Sequence, residues 1–180
     1  MKKNIVILGI LLFGCGCINL LAQENTVTER KHIIGATVGI QYPKGDYKMG
    51  YGGDIFYRHC ISSSPTSFRK ELYLFVNAGY SHYESKNNIV REDIPTALGL
   101  HLYKGVGFLS DNYFNIELGA LYRKEKNNTI SEDVKMFGGV ALGFLIPLSE
   151  SLNLDINTKA YYAFKDVGRG KLSAGLSYSF

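Results

Sequence analysis

Apolar and polar residues alternate along most of the chain, and the alternation is strictest at its end. In KLSAGLSYSF, residues 171–180, one face carries Leu172, Ala174, Leu176, Tyr178 and Phe180, and the other Lys171, Ser173, Gly175, Ser177 and Ser179. A period of two marks a strand with one apolar and one polar face. The pattern predicts strands at 32–42, 51–61, 70–83, 93–104, 112–123, 134–148, 151–164 and 171–180. The seventh sets Leu152, Leu154, Ile156, Thr158, Ala160, Tyr162 and Phe164 against Asn153, Asp155, Asn157, Lys159 and Tyr161. The fifth opposes Phe114, Ile116, Leu118, Ala120 and Tyr122 to Asn115, Glu117, Gly119 and Arg123, and the third opposes Leu72, Leu74, Val76, Ala78 and Tyr80 to Glu71, Tyr73, Asn77, Gly79 and Ser81. In the first and sixth, apolar Ile34, Ala36, Val38, Ile40 and Val140, Leu142, Phe144, Ile146 face mainly glycine and small residues. The second, with Tyr51, Ile55 and Tyr57 against Asp54 and Arg58, is the least regular.

Two architectures accept eight such strands: a soluble sandwich or lipocalin-like barrel with its apolar side inward, and a membrane barrel with its apolar side outward. The minority face separates them. A soluble exterior carries many Lys and Glu, whereas this face mixes Gly, Ala, Ser, Asn and Tyr with scattered charges, which suits a narrow interior filled by small groups and pairable ions. Aromatic residues gather toward strand ends (Tyr42, Tyr51, Tyr57, Tyr80, Tyr122, Tyr162, Phe164, Tyr178, Phe180), the level at which lipid headgroups would lie. The expected fold is therefore all-β: an eight-stranded antiparallel up-and-down transmembrane β-barrel. A lipid-exposed sheet edge leaves backbone groups unpaired, so strand 8 must pair with strand 1.

With both termini in the periplasm, the links after strands 1, 3, 5 and 7 would be external: PKGDYKMG, ESKNNIVRE, KEKNNTISED and KDVGRG, all polar. On the periplasmic side the link SE after strand 6 is tight, while SSSPTSF and GVGFLSD are longer than usual for such turns.

The N-terminus fits a secreted barrel. Lys2 and Lys3, an apolar run from about Ile5 to Ile18 and the small Ala22 have the layout of a signal peptide, residues 1–22, leaving 23–180 as the barrel domain. That run is shorter than the roughly 20 residues a spanning helix requires. LFGC, with Gly14 before Cys15, makes Cys15 a candidate lipid attachment site under the alternative of lipoprotein processing. Composition agrees with strands: 20 Gly, 13 Tyr, 10 Phe, 4 Pro and no Trp. Removing Lys2 and Lys3 lowers the formal charge from +4 to 4 − 2 = +2, too mild to imply nucleic-acid binding. Cys15 and Cys17 leave with the signal, so Cys60 has no internal disulfide partner.

Inward positions hold Asp54, Arg58, Glu71, Glu117, Arg123, Asp155, Lys159 and Lys171, four of each sign. Two readings fit: an ion or solute path, or a salt-bridge network plugging a barrel too narrow to conduct, and eight strands favour the plug. His32, His59, His82 and His101 lie on different strands without metal-ligand spacing, and Ser62, Ser63 and Ser64 form no Ser/His/acid arrangement, so no catalytic or metal site and no cofactor is expected. Lys124, Lys126, Lys165 and Arg169, placed in external loops, are either lipopolysaccharide-phosphate contacts or a solvated face.

Over residues 23–180 the chain resembles outer-membrane β-barrel proteins of Bacteroidota-type bacteria. A narrower resemblance starts at Ile94, in IPTALGLHLYKGVGFLSDNYFNIELGALYRKEKN, FGGVALGFLIPLSESLNLDINTKAYYAF and GRGKLSAGLSYSF. It is similar in order and spacing to the TraO family of conjugative-transposon proteins, with Ile94-Pro95, FLSD at 108–111, LGAL at 118–121 and Gly138-Gly139 as anchors. The terminal Tyr178 and Phe180 resemble the C-terminal signature that barrel-insertion machinery reads. The resemblance implies a non-enzymatic outer-membrane protein in contact with membrane lipid, lipopolysaccharide and the insertion machinery. The TraO likeness adds a structural role in a conjugative DNA-transfer apparatus with other conjugation proteins as partners. The alternative is a stand-alone small barrel acting through its external loops in adhesion, in envelope integrity or as a narrow porin.

Overall fold

A strand that is apolar on one face satisfies its backbone only through its neighbours, and a row of such strands leaves no raw edge only if it closes. The computed structural model shows that closure. It describes residues 31–43, 45–64, 70–85, 87, 89–105, 111–127, 129–163 and 168–180; the expected signal peptide and Cys15 lie outside them. The strands are β1 (His32–Pro43), β2 (Gly50–Ser64), β3 (Lys70–Glu84), β4 (Val90–Gly105), β5 (Asp111–Lys126), β6 (Ile130–Pro147), β7 (Leu152–Ala163) and β8 (Arg169–Ser179). Each pairs antiparallel with the next, and β8 pairs with β1 to close the barrel. Phe180 finishes this seam: its N–H donates to the His32 carbonyl at 2.9 Å and its carbonyl accepts from the His32 N–H at 3.0 Å.

The register sets the width. Followed across the hydrogen bonds, Leu142 leads through Thr158, Leu172, Ile40, Tyr51, His82, Glu92 and Lys124 back to β6 at Glu132. The circuit returns ten residues away from its start (142 − 132). At roughly 3.3 Å per residue and roughly 4.8 Å between strands, that stagger tilts eight strands by about 40° and gives a backbone cylinder of about 8 Å radius. Side chains fill a cylinder of that size.

The faces are distributed inside out relative to a water-soluble protein. Gln41, Arg58, Asp93, Asp155 and Lys171 are buried, while Val38 and Leu118 are 73% and 69% exposed on the outside. Exposed Leu98, Leu100, Ile116, Leu142, Phe144, Leu172 and Leu176 continue the outer band around the wall. The lipocalin-like alternative, with its apolar side inward, is thereby excluded. The outer face is built for hydrocarbon.

The strands run further than alternation predicts at the end away from the termini. Residues 90–92, 124–126 and 130–133, expected in loops, continue β4, β5 and β6. The reason is cross-strand charge: Lys124 lies between Glu92 and Glu132 on the outer face, and Arg123 between Asp93 and Asp133 on the inner face. Opposite charges directly across a ladder stabilise strand pairing without apolar content. Beyond the paired ends of β5 and β6 the Asn127 N–H donates to the Thr129 carbonyl at 3.1 Å.

Inside, several aromatic rings lie on glycine of the neighbouring strand. Phe56 faces Gly35, Phe75 faces Gly99 and Tyr113 faces Gly143. A Cβ on any of these glycines would run into the opposing ring. Gly143→Val is therefore expected to push Tyr113 off its place and cost about 1–3 kcal/mol, the range for overpacking a filled interior. The measurement is the urea midpoint of the refolded barrel in detergent, read by heat-modifiable gel mobility. Gly138→Ala is the control: a Cβ there meets Leu118 Cδ2 at 3.4 Å and the Glu117 carbonyl oxygen at 3.8 Å, both ordinary contacts. Its expected change is within about 0.5 kcal/mol.

Candidate functional site

The lumen is layered. Toward the terminus end Ile33, Phe56, Tyr73, Tyr103, Tyr113 and Leu145 form one buried cluster, and toward the far end Ala97, Leu121, Phe137, Tyr161 and Ala163 form another. Charged side chains occupy the space between and above them. All eight charged residues expected inside point inward.

Six of the eight meet in pairs that cross the lumen. Arg58 Nη2 of β2 donates to Asp155 Oδ2 of β7 at 3.1 Å, and Lys171 Nζ of β8 donates to Asp54 Oδ2 of β2 at 2.6 Å. Lys159 of β7 pairs with Glu117 of β5, which also accepts from Asn77 Nδ2 at 3.1 Å. The Tyr113 hydroxyl donates to Asp155 Oδ1 at 2.5 Å, and the Arg58 guanidinium lies over the Phe56 ring at 4.1 Å. Glu71 accepts from the Tyr73 hydroxyl at 2.5 Å. Between these pairs remains a cavity of about 30 Å³ lined by Thr37, Asp54, Arg58, Asn77, Glu117 and Lys159, among others. A water requires roughly 10–15 Å³ of such space, so the cavity holds at most about two or three waters and is too small for a solute.

The eighth, Arg123, belongs to a second assembly that strand periodicity did not assemble. Asp93, fully buried on β4, accepts from Arg123 Nε at 3.0 Å, lies 3.5 Å from Arg91 Nε, and pairs with Arg169 through its other oxygen. Three guanidiniums therefore share one carboxylate. Glu125 supplies a second acid to Arg91 at 3.3 Å and accepts from the Tyr47 hydroxyl at 3.1 Å. Burial chiefly raises the Tyr47 phenol above its ordinary pKa, so it stays protonated as a donor. Arg169 lies over Tyr83 and Tyr161, at 5.2 and 5.9 Å from their ring centres. Below it Gln41 accepts from both tyrosine hydroxyls and donates to Ser81.

Arg169 is thus inside the barrel, not in an external loop facing phosphates. β8 starts two residues earlier than expected, and the parity that turns Lys171 inward does the same to Arg169. The same extension of parity from Ala97 through Pro95 to Asp93 and Arg91 was the signal available in the sequence. Lys124 stands on the outer wall and Lys126 at the exposed rim; Lys165 lies outside the described residues.

The histidines separate by face. His101 is buried, with Nδ1 2.5 Å from Asn115 Oδ1 and its ring tilted by 36° to that of Tyr113, 4.6 Å away. His82 is outside, stacked on Tyr51 at 5.1 Å. His32 and His59 are outside at the terminus end. Among the described residues, no group of three or more His, Cys, Asp or Glu is assembled as a metal site. Cys60 forms no disulfide among the described residues, and its thiol donates to the Ser62 carbonyl at 3.5 Å.

No protein-family model and no curated protein sequence matches the chain. Solved structures do. The chain is similar to Neisserial surface protein A, NspA, with a TM-score of 0.59 and 14% identity over 84% of this chain and 98% of that one. It is similar to the N-terminal β-barrel domain of Pseudomonas aeruginosa OprF, with a TM-score of 0.60 and 14% identity over 83% and 98% of the two chains. It is also similar to Ail, the attachment invasion locus protein of Yersinia pestis, in complex with the heparin analogue sucrose octasulfate, with a TM-score of 0.57 and 14% identity over 83% and 97%. At these identities the likeness is one of fold: a closed eight-stranded barrel of the kind that crosses an outer membrane.

Proposed function

We propose that this chain is a stand-alone, non-enzymatic small barrel of the bacterial outer membrane, closed to solutes, with its termini in the periplasm and its contacts made by the far end. The observation that supports it most is the pairing of an apolar outer wall with a lumen filled by crossing ion pairs, whose cavity of about 30 Å³ admits no solute. The polar extension of β4, β5 and β6, together with Tyr47 and the rim charges, is the part that would stand clear of lipid and lipopolysaccharide. It carries acids and bases in similar number, Glu92, Asp133 and Glu132 beside Lys124, Lys126 and Lys135, so general attraction to polyanions is not its basis.

Two measurements test this. In planar bilayers the purified chain is expected to give no stepwise conductance; regular channel events would refute the plug. In a Cys60→Ser background, Ser131→Cys should react with a membrane-impermeant maleimide on intact cells, and Ser149→Cys only after lysis. The reverse pattern would refute the orientation.

A second reading rests on the TraO-like order of residues from Ile94 onward: an outer-membrane component of a conjugation apparatus. Its test is the transfer frequency of the element after deletion of this chain. A large drop restored by complementation supports it, and unchanged transfer removes it.

A further inference from the structure

On the outer wall at the terminus end, the first pair of the β1–β2 ladder is His32 opposite His59. The preceding pair is hydrogen-bonded, Cys60 N–H to the Lys31 carbonyl at 2.8 Å, and the backbone of His32 bonds to Phe180 instead. His32 and His59 are therefore a non-hydrogen-bonded pair, the kind whose side chains approach most closely. Their Nδ1 atoms are 3.4 Å apart and their ring centres 4.9 Å. Two nitrogens held by a tetrahedral Zn²⁺ at roughly 2.0–2.1 Å stand about 3.3–3.4 Å from each other. The ring of Phe180 stacks on His32 at 5.4 Å and an interplanar angle of 21°, which limits rotation of that imidazole.

We propose that His32 and His59 form a two-imidazole site for Zn²⁺ on the periplasm-facing rim of the outer wall, with the remaining positions filled by water or by headgroup oxygens. Neutral imidazole is a ligand suited to this borderline-soft ion. With two protein ligands the site is open and exchangeable, not a buried structural centre. The bound ion would tie β1 to β2 next to the β1–β8 seam. The Tyr57 hydroxyl lies 2.7 Å from His32 Nδ1; in the tautomer whose Nδ1 lone pair can bind a metal, the hydroxyl donates to that lone pair and competes with the ion. The site does not depend on what the far end contacts.

The test is Zn²⁺ titration calorimetry on the full chain, purified in detergent without a histidine tag. The expected result is one ion per barrel, lost in His32→Gln and in His59→Gln and retained in His82→Gln, with heat-modifiable mobility confirming that each variant is folded. Tyr57→Phe is expected to bind at least as tightly as the native chain. Absence of Zn²⁺ binding, binding that survives in both the His32 and His59 variants, or its loss in Tyr57→Phe would each overturn the assignment.

Discussion

Replacing Asp93 with alanine is expected to destabilise the barrel by about 3–5 kcal/mol, the cost of removing one side of a buried ion pair. The carboxylate is fully buried and is the point on which Arg91, Arg123 and Arg169 converge. Without it, the three cations lose the carboxylate they share, and the acids beside them, Glu125 and Asp133, are 35% and 43% exposed at the rim. Guanidiniums do not escape by losing a proton, because their pKa lies above 12 in ordinary surroundings. They must repel one another, draw in water or swing outward, and each response disrupts the packing of Arg169 on Tyr83 and Tyr161. Asp93→Asn keeps the shape and removes only the charge. If it costs nearly as much as alanine, charge compensation is the reason; if it is close to neutral, the account in terms of three cations fails. The urea midpoint of folded against unfolded bands reads both variants.

Leu118→Arg is expected to cost about 2–4 kcal/mol in a lipid bilayer, the penalty for a cation at the midplane of a barrel's lipid face. Leu118 is mid-strand on β5, 69% exposed, with Leu98 and Gly138 beside it across the ladder. In a water-soluble protein so exposed a leucine would accept arginine with little effect. Tyr122→Arg, four residues toward the far end, lies next to the Glu92–Lys124–Glu132 row and is expected to cost only about 0–1 kcal/mol, as at an interface. Equal small costs at both positions would show that the outer wall does not face hydrocarbon. The difference between the two substitutions is more informative than either value, because effects on the unfolded chain largely cancel.

The interior was legible wherever a strand was. Asp54, Arg58, Glu117, Asp155, Lys159 and Lys171 alternate with apolar neighbours, and a period of two assigns them to one side of the wall. Asp93, Arg91 and Arg169 were harder to place because none has an apolar residue on both sides: Glu92 stands between Arg91 and Asp93, and glycines flank Arg169. Leu98 and Leu172 mark the outward side nearby, but past Ile94 the outer face itself becomes charged, and the contrast that defines a strand from sequence disappears. What keeps those residues in strands is cross-strand charge pairing, which depends on which residues are opposite one another.

Sequence by itself determined that the chain is a row of eight amphipathic strands, and that the face poor in bulky apolar groups is the inner one. Both follow from local alternation and composition. Only the tertiary structure decided who meets whom: Arg58 with Asp155 across the lumen, three arginines on Asp93, His32 beside His59, Phe180 on the closing seam. Those meetings depend on the ten-residue stagger of the closed barrel, which no single strand encodes. A shift of one strand by two residues would keep every side chain on its face and change every partner. Closure leaves no unpaired backbone in lipid and makes the eight registers add up to a single stagger, which is a property of the ring as a whole.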